Sequence, residues 1–416
     1  MIVDFKTNSM KNKLIFCYSL FVAAHCTAQY KNDNVLFKTI DPAALYKTLK
    51  NTKDYVLLDV RSNGEFEDTS QYSSLNLGHL KGAKNISVNE LGQRLSEIKA
   101  DKDKPVFVYC SHSQRSRRAC KMLADSGFTN ITNINGGLTS LHYFGEVNKE
   151  YFGELYETKN KYSFISPTEL CDKLSKTPGN IFLLDVRTDS LFKHIGTQPK
   201  DNALGTIKGS VNVPFKELQQ NLATIPSNKT VIVIDLYGDD AAKAANLLAE
   251  NGYKNVQVLI EGMDRWLSMS NADAPCKNTL YQTSEKFSIV SAIDFGKIQH
   301  KENITILDVR TTDEFNNADK NSWRNIGKLN NAINIPSGEI QNSIAKIPGE
   351  KNKPIIVYSF GGGPEAFTAA KFLSGNGFTN VTVLYGGVFN LRWTAANIKD
   401  QSYLKDFVTN IPEINK

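Results

Sequence analysis

The chain has few features that would mark an unusual class. Its six cysteines, Cys17, Cys26, Cys110, Cys120, Cys171 and Cys276, are scattered and contain no CxxC pair. Neither a zinc ribbon nor a thioredoxin-type dithiol is therefore suggested. Basic residues exceed acidic ones by only 49 to 43, and no stretch gathers that excess into a basic face. Nucleic acid is thus not implied as a partner. Beyond the N-terminal segment no apolar run approaches the roughly 20 residues of a transmembrane helix. At 41% hydrophobic, 22% charged and 10% aromatic residues, the composition is neither disordered, collagen-like nor disulfide-dense. What remains is a folded soluble protein, and 416 residues are too many for one ordinary domain.

The N-terminus reads as an address. From Met10 the chain runs through Lys11-Asn12-Lys13, the apolar segment Leu14 to Ala24, and Cys26-Thr27-Ala28. This basic, apolar, small-residue order predicts a secretory signal peptide over residues 1–28 and an exported chain, periplasmic or secreted. His25 precedes Cys26 where a lipidation signal needs a small residue, which argues against a lipid anchor.

The rest is one unit written three times. Val56-Leu57-Leu58-Asp59-Val60-Arg61 returns as Phe182-Leu183-Leu184-Asp185-Val186-Arg187 and as Thr305-Ile306-Leu307-Asp308-Val309-Arg310. Gly127-Phe128-Thr129-Asn130 likewise returns at Gly252 and Gly377. The period of about 125 residues is that of a domain, far longer than a solenoid repeat. Domains are expected over residues 36–145, 163–273 and 287–398, with linkers near 142–163 and 274–287 that leave room for domain motion and a tail over 399–416. Runs such as Val106-Phe107-Val108-Tyr109 and Thr230-Val231-Ile232-Val233-Ile234 are continuously apolar. Strands of that kind are buried on both faces, as in parallel sheets flanked by helices. Each unit is predicted to be an α/β domain with a mainly parallel sheet.

Ligands of such sheets bind beyond the carboxyl ends of the strands, where helix N-termini point their unpaired N–H groups. There the first unit places Cys110-Ser111-His112-Ser113-Gln114-Arg115-Ser116. A cysteine between a buried strand and a helix, close to Arg115, Arg117 and Arg118, has the surroundings that favour a nucleophilic thiolate. The loop N–H groups can converge on an anion, with the Arg115 fork as a further donor. His112 is a candidate donor to the same oxyanion. Asp59 and Arg61, two apart at a strand end, point to one face and are expected to brace the loop base.

With these residues in view, the first unit resembles a rhodanese domain of the sulfurtransferase family. The resemblance rests on Asp59-Val60-Arg61, Glu65-Phe66, Gly78-His79-Leu80-Lys81-Gly82-Ala83, the cysteine loop with its arginine, and Gly136-Gly137-Leu138. It implies attack of the Cys110 thiolate on the outer sulfur of a thiosulfate-like donor, giving a persulfide that passes sulfur to a thiol or cyanide. No metal or organic cofactor is implied. Four residues separate Cys110 from Arg115, whereas rhodanese-fold phosphatases resemble a pattern one residue longer, so sulfur chemistry is the better fit. Ser113 stands where the family often has glycine, and Leu141 near a frequent tryptophan, with Trp266 and Trp393 near that place in the other units.

Alignment sets Asp235 opposite Cys110 and Asp240 opposite Arg115, and an acidic loop with Asp235, Asp239 and Asp240 is expected to repel the anion. Ser359 replaces the cysteine in the third unit, followed by Phe360-Gly361-Gly362-Gly363-Pro364-Glu365 with no cation. Both units are expected to be degenerate, and a protein partner for them stays open. Cys120 reads as core or surface, and a bridge between Cys171 and Cys276 as a guess. The alternative to an enzyme is an exported binding scaffold in which Cys110 senses redox state without turnover.

Overall fold

The computed structural model describes residues 37–143, 153–298 and 303–412. The signal segment predicted over 1–28 lies outside them. The first unit is built on a five-stranded sheet in the order Lys38–Ile40, Ile131–Ile134, Val106–Tyr109, Val56–Asp59, Lys84–Asn85, every pair parallel. The second and third units repeat that order, around central strands Thr230–Ile234 and Ile355–Tyr358. All four residues of Val106–Tyr109 are buried, as expected for a strand covered by helices on both sides. The three predicted α/β units with parallel sheets are thus what the chain forms.

The helix Gln114–Asp125 buries Ser116, Ala119, Cys120 and Leu123, one stripe at helical spacing. Its counterparts Asp239–Glu250 and Glu365–Gly375 also bury Ala242 and Phe367, which belong to a second face. These two helices pack on the preceding unit, against Ser73–Leu75 and Pro199–Ala203 respectively. The first unit carries Arg117 at this position. Hydrogen bonds cross every pairing of units: Ser74 N to Asp239 Oδ1 (3.2 Å), Tyr385 Oη to Asp264 Oδ1 (2.6 Å) and Asn135 Nδ2 to the Asn397 carbonyl (2.8 Å). One apolar cluster runs continuously from Ile165 in the second unit to Tyr385 in the third.

The segments read as linkers and tail are straps. Tyr156–Glu157, Tyr281–Gln282 and Val408–Thr409 each pair antiparallel with a short strand of their own unit, His79–Leu80, Thr206–Ile207 and Lys328–Leu329. The tail drawn from residue 399 therefore belongs in part to the third unit, where Leu404 and Phe407 are buried in its core. Cys171 and Cys276 are bridged, which ties the helix Pro167–Lys176 to the segment leading into the second strap. Cys120 is free and fully buried, and burial pushes its thiol well up, as befits a core residue.

Candidate functional site

Cys110 follows the central strand of the first unit directly, and its side chain is buried at 1% exposure. Two backbone bonds hold the loop from above: Leu138 N to Cys110 O (3.0 Å) and Thr139 N to Ser111 O (3.1 Å). This close approach needs a glycine at 137, because a Cβ there would lie 2.1 Å from the Cys110 carbonyl oxygen. Ser113 closes the turn in the left-handed region at φ +76°, where glycine would be cheaper. Its hydroxyl compensates by donating to Ile134 O (3.1 Å) and accepting from Gly136 N (2.6 Å). Serine thus binds the cysteine loop to the glycine turn.

The Cys110 thiol donates to Ser116 Oγ (3.7 Å), which donates to Asn133 Oδ1 (2.6 Å). Asn133 is fully buried in the strand Ile131–Ile134, and sequence reasoning passed over it. A signal was present, since the corresponding residues are Val258 and Val383, and Ser116 corresponds to Ala241 and Ala366. The polar relay exists only in the unit that carries the cysteine.

Arg115 is paired with a carboxylate. Its fork is taken by the buried Glu65, with Nη1 to Oε2 and Nη2 to Oε1 both at 2.6 Å, and Nη2 also reaches Ser111 Oγ (2.9 Å). Burial raises the Glu65 carboxyl, but the hydrogen bond and charge of Arg115 and the Ser62 cap outweigh this and hold it low. Glu65 also closes a capping box with Ser62 at the start of Asn63–Phe66. The arginine therefore shapes the loop, and its charge is already compensated. Gln114 is exposed at the start of the helix.

Asp59 and Arg61 form a buried ion pair (2.7 Å), and Arg61 Nη2 donates to Gly78 O (2.7 Å). Asp185–Arg187 and Asp308–Arg310 repeat this arrangement onto Gly205 and Gly327. A pairing common to units with and without the cysteine is scaffolding. His79 is held by Phe66 O (3.0 Å) and by Glu157 of the strap (2.9 Å).

His112 is exposed, at 46% for its side chain, and Nε2 lies 2.9 Å from Glu261 Oε1 and 3.1 Å from Thr139 Oγ1. Glu261 belongs to the second unit and was not singled out from the sequence.

A family model for the rhodanese-like domain matches residues 41–142, 166–269 and 291–393. The chain belongs to the rhodanese family. Its relatives include an uncharacterized protein, YqhL, of Bacillus subtilis, 33% identical over 31% of this chain and 90% of that protein. The thiosulfate sulfurtransferase GlpE of Coxiella burnetii is 32% identical over 25% of this chain and 85% of its own length. Among solved structures, a thiosulfate sulfurtransferase from Pseudomonas aeruginosa aligns at 18% identity and a TM-score of 0.22, covering 84% of this chain and 66% of that one. The family is one of sulfur-transfer enzymes.

In the second rhodanese unit the loop N–H groups are already occupied. The Asp235 carboxylate is buried and accepts from Gly238 N and Ala241 N (3.0 Å), so the cradle is filled by its own side chain. Asp239 and Asp240 point elsewhere, both to Lys243 and Asp239 also to Ser74 N. In the third rhodanese unit the loop contains no cation, yet Arg324 from a neighbouring segment pairs with Glu314 and lies 5.1 Å from the Phe360 ring centre. Leu141 and Trp266 are buried packing residues, while the position matching them in the third unit is Leu391, fully buried, with the half-buried Trp393 two residues on.

Proposed function

We propose that the first rhodanese unit transfers sulfane sulfur from a thiosulfate-like donor through a persulfide on Cys110. The observation that carries this reading is the Asp235 carboxylate of the second unit, an anionic group seated on the loop N–H groups. Ser113 and Ser116 are the counterparts of Gly238 and Ala241, and with a thiol in place of the carboxylate their N–H groups are left to an incoming oxyanion. The Cys110 thiolate attacks the outer sulfur, the sulfur–sulfur bond of the donor breaks, and sulfite leaves with the electron pair. A thiol or cyanide then takes the outer sulfur and the Cys110 thiolate is restored. Burial of Cys110 favours a small donor. Ser111, His112, Ser113, Gln114, Arg115 and Ser116 form the surrounding loop, braced from below by Asp59 and Arg61. No cofactor enters this scheme.

Export, to a periplasm or the exterior, is part of the proposal, and the Cys171–Cys276 bridge supports it because disulfides persist in oxidising compartments. The test is intact-mass analysis after thiosulfate. A gain of about 32 Da, one sulfur, that is absent in Cys110→Ser is expected. No gain, with Cys110 still open to alkylation, would favour a binding or redox-sensing scaffold.

A further inference from the structure

Glu261 is conspicuous for its backbone before its side chain is considered. It lies at φ +55°, in the turn where the other units have Gly136 and Gly386. A non-glycine residue in the left-handed region persists where surrounding contacts over-determine it, and such residues cluster at functional sites. Both carboxylate oxygens are engaged across the seam between the first two units. Oε1 meets His112 Nε2 at 2.9 Å, and Oε2 accepts from Tyr143 Oη. Arg265 lies 4.4 Å from the centre of the Tyr143 ring. Burial alone would raise the Glu261 carboxyl, but the hydrogen bond and charge of His112, with Arg265 and Tyr143, pull it down to about 2. A carboxylate is therefore present at neutral pH, and a carboxylate at one ring nitrogen sets the tautomer of a histidine.

We propose that Glu261, from a unit that has lost its own nucleophile, is a positioning residue of the Cys110 site, holding His112 as the base that activates a thiol acceptor. The proposal rests on the persulfide reading above and adds the acceptor's chemistry to it. In the neutral ring Nε2–H donates to Glu261, which leaves Nδ1 to take the acceptor's proton. The acceptor thiolate then attacks the outer sulfur of the Cys110 persulfide, that sulfur–sulfur bond breaks, and the Cys110 thiolate leaves. The new persulfide departs on the acceptor, and the proton on His112 returns to solvent. Starting from the Cys110 thiolate, the first half-reaction needs no proton transfer, so Glu261 acts on the second half alone. The titratable and charged groups about His112 are Glu261, with Tyr143 and Arg265 behind it, and Cys110 and Arg115 on its own loop. The imidazole is half-exposed whereas Cys110 is buried, so an acceptor meets the histidine first.

The test follows the two half-reactions separately in the full-length protein, with thiosulfate as donor and glutathione as acceptor. Glu261→Gly restores the residue of the other two turns and relieves the backbone, so the fold is retained, and Glu261→Gln keeps the shape without the charge. In both variants persulfide formation by intact mass should match wild type. Sulfur transfer to glutathione at pH 6.5 should slow by about tenfold or more. The deficit should close by pH 9.5, where the acceptor ionises unaided. The 15N shifts of His112 should lose the Nε2–H tautomer signature in Glu261→Gly. Unchanged transfer at pH 6.5, or a deficit equal in both half-reactions and at both pH values, would overturn the proposal. Failure of the wild type to form a persulfide would instead overturn the persulfide reading itself.

Discussion

Asp235 is a buried carboxyl whose charge the fold opposes. Burial raises it from 3.8 to about 6, although the N–H groups of Ala241 and Gly238 pull the other way. A carboxyl that holds its proton more tightly in the native state contributes stability that is fully present below 3.8 and is lost as the pH rises through about 6. At pH 7 its ionisation thus works against the second unit. Asp235→Asn removes the charge and keeps one of the two oxygens that accept from Gly238 N and Ala241 N, so the gain is reduced by one lost hydrogen bond. The variant should gain roughly 1–3 kcal/mol at pH 7 and lose most of that gain near pH 4. Urea denaturation of both proteins at the two pH values measures this, and a gain equal at both would assign the effect to something other than ionisation.

At the scale of elements, the turn after the central strand holds Cys110, and two unusual residues, one in it and one in the glycine turn packed on it, solve different problems. Gly137 is required by proximity, since the loop carbonyl occupies the space a side chain would take. Ser113 holds a positive φ because its hydroxyl joins two strand ends. Ser113→Gly relieves roughly 1–2 kcal/mol of left-handed strain. It also removes two buried hydrogen bonds of about 0.5–1.5 kcal/mol each. The two effects nearly cancel, so the melting temperature should not rise, against the expectation from backbone preference alone. Calorimetry of the variant decides it, and a clear rise would mean that the hydroxyl contacts contribute little. The sequence placed Cys110 in this turn, because a cysteine after a continuous apolar run and before a helix is a local pattern. It could not reveal that Arg115 would face Glu65, which depends on where the strand Val56–Asp59 delivers the next helix.

At the scale of the molecule, the three units are packed into one another and strapped. The bridge between Cys171 and Cys276 closes a loop of 105 residues within the second unit. Chain-entropy reasoning assigns such a bridge about 2–5 kcal/mol. Reduction, or Cys171→Ala with Cys276→Ala, should therefore lower the melting temperature of the second unit, which shares a continuous core with the third. Thermal melts with and without dithiothreitol read the effect. An unchanged melt in the reduced protein would show that the shared core alone holds that unit.

By itself the sequence determined the three repeats, the parallel sheets and the placement of Cys110 at a strand end. Those properties follow from the order of apolar and turn residues within short windows, where period and punctuation are sufficient. Tertiary structure alone decided that Glu65 compensates Arg115, that Asn133 backs Ser116, and that Glu261 reaches His112. These pairs lie 50, 17 and 149 residues apart. Side chains so far apart meet only after sheets have formed and units have docked, and which surfaces dock is written in no single stretch of the chain.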